Sequence, residues 1–389
     1  MSTRRACQTH FTKLYCFSAL LLLAHCAPPA ALRVQLAPQP VAVDTVWYIS
    51  ARARVDGKDS RQLTDALEYG QAIYRRDAMS DAWTGRIQLT LLDSVTLSAT
   101  AFEAALRQRL NDARAIDATD ATSMVLYVHG FGTSLHESWQ YTAEARVRAG
   151  ATTPWVVFAW PSNGLGVSWP RSRAILTRAY HDDIALAAQS TAAFVRAAAS
   201  VLRASPAEQT ILLSHSLGGR IVSDAILNPN ELAATLSGAR FHAIAFVTPD
   251  VDATRFRDTV VFAAQSLTKR LLLYSSAKDR VLAMARTIHD APRAGLRTTP
   301  PLQQRTLESI DATEGLVAEG WLTSIFGTHH AIRRASAVLY DVSQLVGRNR
   351  APDCRIELGT ATRSPTGVWH LQNKRPPRPP LLLPCDRTP

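Results

Sequence analysis

The sequence predicts an α/β protein with a mostly parallel central sheet and helices on both faces. Short runs that are apolar throughout recur along the middle of the chain, as expected for strands buried on both faces. Segments with apolar residues at helical spacing separate them, and strands alternating with helices build parallel sheets. A hydrophobic fraction of 47% against 19% charged residues is that of a globular protein, and 389 residues suffice for one large domain with additions.

In chain order, Val46-Trp47-Tyr48-Ile49 and Ile87-Gln88-Leu89-Thr90-Leu91 are expected strands joined by a polar loop. Ala101 to Ile116 has helical spacing. Met124 to Val128 is a strand, Ser138 to Arg148 a helix, and Trp155 to Trp160 a strand stopped by Pro161. A long Ala-rich amphipathic helix is expected over Tyr180 to Arg203, with Ile184, Ala188, Ala192 and Val195 on its core side. A strand at Thr210 to Leu213 turns into a helix at Leu217 to Leu227. Strands follow at His242 to Val247 and Arg270 to Tyr274, with a helix between them. Thr306 to Ile310 is the last expected strand, and a final helix follows it.

The N-terminus reads differently. Arg4, Arg5 and Lys13 precede the apolar stretch Leu14 to Ala24, which ends at His25-Cys26-Ala27-Pro28-Pro29. A basic region, a short apolar region and small residues read as a signal peptide over residues 1–25, too short for a spanning helix. The Leu-Ala-His-Cys ending resembles a bacterial lipoprotein signal, in which Cys26 would be lipidated, although His25 departs from the usual small residue. An exported, lipid-anchored protein of the cell envelope is therefore expected, with a soluble periplasmic or secreted form as the alternative. Residues 26–44 would be a tether, 45–347 the main α/β domain, and 348–389 an irregular Pro/Arg-rich tail.

The formal charge of +11 is mostly scattered arginine. No basic stripe with interleaved aromatics is present, so a nucleic-acid partner is not expected. Of the five cysteines, Cys7 and Cys16 leave with the signal. Cys354 and Cys385 then remain as a pair, and a disulfide between them is expected in an oxidising compartment. No Cys/His spacing resembles a zinc site, so neither metal nor organic cofactor is expected.

The chemistry centres on Ser214-His215-Ser216-Leu217-Gly218-Gly219. A serine between a strand and a helix, flanked by small residues, fits a nucleophile elbow, with Ser214 standing where the G-x-S-x-G pattern has glycine. Ser216 then needs a base, an acid to orient the base, and donors for an oxyanion. His129-Gly130-Phe131-Gly132, directly after a strand, offers the Phe131 amide; the start of the next helix offers that of Leu217. Asp279, in Tyr274-Ser275-Ser276-Ala277-Lys278-Asp279, is the first choice of acid. Asp250 and Asp252 after the preceding strand are its rivals. The base falls late in the chain, at His329 or His330. His215 is read as a neighbour packed against the elbow, and His370 lies in the tail.

Taken together, these segments resemble the α/β-hydrolase superfamily, most closely a bacterial branch of uncharacterised serine hydrolases and esterases. The resemblance rests on Leu126-Tyr127-Val128-His129-Gly130-Phe131, Phe158-Ala159-Trp160-Pro161-Ser162, Ser214 to Gly218, Val247-Thr248-Pro249-Asp250-Val251-Asp252 and Tyr274 to Asp279. It implies the order Ser…Asp…His and a covalent acyl-enzyme. In that branch an Asp follows the last histidine by about twelve residues; Asp341 fits that place and points to His329 as the base, with His330 second. The expected activity is cleavage of a small-molecule or lipid carboxylic ester by Ser216, Asp279 and His329. The alternatives are an envelope lipase or acyltransferase, or a catalytically silent lipoprotein scaffold. Trp160 and Trp169 are candidates for an acyl pocket or for core positions.

Overall fold

The apolar runs form strands whose residues are buried from end to end: β4 (Met124–Val128), β5 (Trp155–Ala159), β6 (Thr210–His215), β7 (Ala243–Val247) and β8 (Leu271–Ser275). Such runs are stable only when both faces are covered. In β4, Met124, Leu126 and Val128 enter one core and Val125 and Tyr127 the other. The structure, a computed structural model, describes residues 42–76, 87–116, 124–162, 173–228, 231–316, 332, 335–374 and 385. All of them lie in the unit Pro40–Pro389.

Three strands precede β4: β1 (Ala42–Val55), β2 (Lys58–Arg76) and β3 (Leu89–Leu97). After β8 come β9 (Leu307–Asp311), β10 (Ala361–Arg363) and β11 (Trp369–Leu371). One sheet of eleven strands contains them all, in the order β10-β11-β9-β8-β7-β6-β4-β5-β1-β2-β3. Its centre is parallel from β1 through β9, while the β1-β2-β3 and β10-β11 pairs are antiparallel. β4 leads to β5 on one side, and the chain then crosses back to β6 on the other. The strand order therefore reverses at β4/β6, where crevices open beyond the carboxyl ends of such strands.

The helices are α1 (Ala99–Ile116), α2 (Leu135–Arg148), α3 (Arg173–Gln189), α4 (Thr191–Ala204), α5 (Leu217–Leu227), α6 (Leu232–Leu236), α7 (Ala253–Arg255), α8 (Val261–Ala264), α9 (Arg280–His289), α10 (Ser336–Tyr340) and α11 (Cys354–Glu357). π-turns at Phe256–Val260 and Asp341–Val346 continue α7 and α10. α2 begins one turn earlier than its apolar spacing predicts. Ser134 accepts from the Glu137 amide at 3.3 Å and Glu137 reaches back to the Ser134 amide at 2.8 Å, a capping box.

Three expectations are corrected. The polar loop after Ile49 is the long strand β2, paired antiparallel with β1. Its polar composition misleads because much of the hairpin stands exposed. The single helix over Tyr180–Arg203 is two, α3 and α4, bent by 54° at the break. Ser190 Oγ donates to the Leu186 carbonyl at 2.7 Å, and such back-bonding competes with the helical ladder and bends it. The tail is not an irregular appendage throughout: α11, β10 and β11 lie in it, and β11 adds to β9 in parallel. Arg355 fixes that addition. Fully buried, it donates to both Asp341 oxygens at 2.7 and 2.8 Å and to Glu308 at 2.7 Å.

Candidate active site

β6 ends at the elbow. Ser216 adopts φ 54° and ψ −123°, a conformation that costs a non-glycine residue of order 1–3 kcal/mol and persists only when neighbours enforce it. Three backbone hydrogen bonds do so. The Ser216 amide donates to the Val247 carbonyl at 3.2 Å, and its own carbonyl accepts from Gly219 at 2.9 Å and from Asp250 at 3.1 Å. Leu217 is the first residue of α5, so its amide points out of the helix start without an intrahelical acceptor. Ser214 is an ordinary strand residue, paired with Val128 and Phe246, with its Oγ 3.5 Å from the Ala245 carbonyl. Nothing in that environment requires glycine, which accounts for the departure from the pattern.

Two other glycines are required by contact. A Cβ on Gly218 would lie 2.4 Å from the Val128 carbonyl oxygen and 2.6 Å from that of His129. One on Gly130 would lie 2.8 Å from Ser216 Cβ and 2.9 Å from His215 Nδ1. The loop after β4 and the elbow after β6 are thus in direct van der Waals contact, and buried Phe131 follows Gly130 beside the Ser216 turn. His215 packs against Gly130, as its place in the sequence suggests.

A polar scaffold that the sequence did not reveal holds the loop after β4. Gly132 N–H donates to Asp183 Oδ2 at 3.2 Å, and Thr133 N–H to Ser162 Oγ at 3.2 Å. Ser162 donates to Asp183 at 2.5 Å, while Arg52 spans the Thr133 and Ser162 carbonyls at 2.7 and 2.9 Å. Burial pulls the Arg52 pKa down to about 10. In the sequence Asp183 is one polar residue in the run His181-Asp182-Asp183, and nothing there singles it out.

His129 is buried and stacks on Trp160 with ring centroids 5.4 Å apart. Burial, helped by the Arg52 charge, pushes its pKa down to about 3, so it is neutral at ordinary pH. Trp160 donates to the His129 carbonyl at 2.8 Å and is a core residue.

The carboxylates differ in their commitments. Asp279 follows β8, is buried, and caps α9 by accepting from the Leu282 amide at 2.9 Å. Asp250 spends one oxygen on Arg293 Nε at 2.7 Å and the other on the Tyr180 hydroxyl. Asp252 caps α7 through the Arg255 amide at 2.7 Å. Asp341 lies in the buried network with Arg355 and Tyr274, whose hydroxyl donates to it at 2.6 Å. His370 sits on β11, 3.3 Å from Asp311. His329, His330, Trp169 and Cys26 lie outside the described residues.

With the elbow, the loop and the reversed strand order in view, the sequence profile of a family matches residues 102–315, its description being an alpha/beta hydrolase of unknown function (DUF900). The chain belongs to the DUF900 family. The large, mostly parallel sheet with its helices is an α/β-hydrolase fold. No curated protein matches the sequence. Among solved structures, the DUF900 chain is similar to a candidate carboxylesterase from Lactobacillus plantarum WCFS1, at 14% identity over 65% of this chain and 85% of that one, TM-score 0.27. It is also similar to a prolyl endopeptidase at 13% identity over 80% of this chain, TM-score 0.24. Prolyl oligopeptidase B from Galerina marginata matches at 12% identity over 79% of this chain, TM-score 0.21. The chain spans 47% and 37% of those two peptidase chains.

Cys354 and Cys385 are brought together as expected, but both stand as buried thiols. Cys354 Sγ donates to the Cys385 carbonyl at 3.4 Å, and Cys385 Sγ to Glu357 Oε2 at 3.0 Å. Among the described residues this trio forms a group of possible metal ligands, its three donor atoms within 4.8 Å of one another, beside the β10–β11 edge. Among the described residues no single helix is long and apolar enough to cross a membrane.

Proposed function

We propose that the protein is a serine hydrolase that cleaves a carboxylic ester through a covalent acyl-enzyme on Ser216. The observation that carries this reading is the backbone of Ser216 (φ 54°, ψ −123°), enforced by its neighbours at a strand-to-helix turn. Such a turn lifts the hydroxyl above the sheet edge, at the topological switch point. Packed against it, the Gly130–Phe131 loop lets the Phe131 and Leu217 amides face the oxyanion of a tetrahedral intermediate. Losing one such donor raises the barrier by roughly 3–4 kcal/mol.

Asp279 is the acid of this reading because both oxygens of Asp250 are already spent on Arg293 and Tyr180. It would hold the imidazole of His329, with His330 the second choice, in the tautomer that draws the proton from Ser216. Fluorophosphonate labelling tests the reading: the wild type labels and Ser216→Ala does not. A folded wild-type protein that fails to label overturns it. Rates for His329→Ala and His330→Ala assign the base, and a series of p-nitrophenyl esters of rising chain length separates esterase from lipase.

The N-terminal reading adds a location. Export and lipidation on Cys26 would hold the enzyme at a bacterial envelope membrane, within reach of soluble or lipid esters. Mass spectrometry of the mature N-terminus checks this, and an uncleaved residue 1 rejects it.

A further inference from the structure

Beside the elbow lies a polar cluster that the proposed triad does not use. It begins with Asp250, whose amide supports the Ser216 carbonyl and whose carboxylate accepts from Arg293 and Tyr180. Tyr180 stands on α3, edge-on to Phe131 with ring centroids 5.6 Å apart. Its hydroxyl also meets His289 Nε2 at 3.1 Å. The hydroxyl proton goes to the Asp250 carboxylate, so His289 must donate from Nε2. Burial lowers the His289 pKa, with the Arg293 charge adding to it.

Arg220 completes the cluster. It lies on α5 four residues after Ser216, so it shares a helix face with the nucleophile end. Helical side chains lean toward the helix N-terminus, which directs the Arg220 stem back toward the elbow. α3 packs against α5, and the Arg220 charge acts on both Tyr180 and His289. Arg220 makes no ion pair or hydrogen bond with the described residues, and its Nε is buried without a partner. Both Asp250 oxygens already accept, one from Arg293 and one from Tyr180, and Tyr180 and His289 are engaged with each other. The residue as a whole is only partly buried. A buried guanidinium N–H left unpaired costs free energy that an incoming acceptor recovers.

We infer that Arg220, on α5 one turn beyond Ser216, is a binding site for an anionic group of the substrate, a carboxylate or a phosphate carried a few bonds from the scissile ester. The planar guanidinium matches either anion. This rests on the serine-hydrolase reading for its substrate but not for its anion, and the two are tested separately.

The test compares mono-p-nitrophenyl glutarate with p-nitrophenyl butyrate, which have similar acyl chains with and without a carboxylate. The wild type should favour the glutarate ester in kcat/KM by about tenfold or more. Arg220→Gln should reduce that ratio to near one, chiefly through KM, and Arg220→Lys should keep part of it. A wild type without the preference, or an Arg220→Gln protein that keeps it, overturns the inference. An independent readout is thermal: glutarate or inorganic phosphate should raise the wild-type Tm, by about 2 °C at tenfold over Kd. The rise should vanish in Arg220→Gln, while glutaramide, the neutral analogue, should give none. A rise with glutarate alone assigns a carboxylate, and one with phosphate assigns a phosphate. No rise with either overturns the site even if Ser216 labels. Conversely, a folded wild type that fails to label with fluorophosphonate overturns the serine chemistry while the thermal readout still decides the site.

Discussion

Replacing Gly130 with alanine asks whether the loop after β4 abuts Ser216 as the proposed chemistry requires. The new Cβ would lie 2.8 Å from Ser216 Cβ, where ordinary contact begins at 3.4 Å. Ser216 must therefore retreat by about 0.6 Å or the loop must lift by as much. The backbone of Gly130 itself needs no glycine conformation, so the effect is one of contact rather than of torsional strain. Misplacement of a reacting group by 1 Å can cost on the order of a hundredfold in rate, so a shift of this size should cost about 10- to 100-fold. That is a barrier increase of roughly 1.4–2.7 kcal/mol. The assay is the second-order rate of fluorophosphonate inactivation of the wild type and Gly130→Ala, with Tm measured on the same samples. Inactivation within twofold of the wild type at unchanged Tm would refute the juxtaposition and, with it, the oxyanion role of Phe131.

Three further outcomes are expected. Arg355→Met leaves Asp341 and Glu308 without their shared buried cation and should destabilise the fold by about 3–5 kcal/mol in urea titrations, whereas adding Asp341→Asn should recover part of the loss; a cost under about 1 kcal/mol rejects the network's role. Burial alone would raise the Glu308 pKa, but the Arg355 and Arg270 charges hold it at about 2, below its unfolded value. That contribution is complete above about pH 4.5 and fades toward pH 2, so the gap between wild type and Arg355→Met should narrow across this window. His129, held neutral with a pKa of about 3, stabilises fully above its unfolded value near 6.5 and less as pH falls; at pH 4.5 the loss should be about 2–3 kcal/mol, and His129→Gln should show a flatter pH dependence of unfolding. Oxidation should join Cys354 and Cys385 in a disulfide, seen by mass spectrometry of non-reduced digests, and its reduction should lower stability by about 3–4 kcal/mol; digests showing only free thiols after oxidative folding would contradict this.

The sequence by itself determined the layered architecture, because a strand covered on both faces has to be apolar at every position. β4 is bounded by the same residues in the sequence reading and in the structure, as is α5. It also determined the elbow, since a strand running into glycines and a helix leaves few other conformations for Ser216. Where polar composition met long-range pairing, it failed. β2 reads as a loop because strand pairing with β1, not burial, holds it. β11 reads as tail because its place beside β9 depends on Arg355 reaching two carboxylates from distant parts of the chain.

Tertiary structure alone decided which carboxylate is spent. Asp250 lies just beyond a strand, as Asp279 does, and the bonds that hold its carboxylate, from Arg293 and Tyr180, come from residues 43 and 70 positions away in the chain. The same holds for Arg220, one arginine among many until the fold leaves its Nε buried beside the Ser216 turn with no acceptor among the described residues. Hydrophobic periodicity is a local property and survives in one dimension. Charge pairing is set by distances between residues far apart in the chain, and those exist only once the chain has folded.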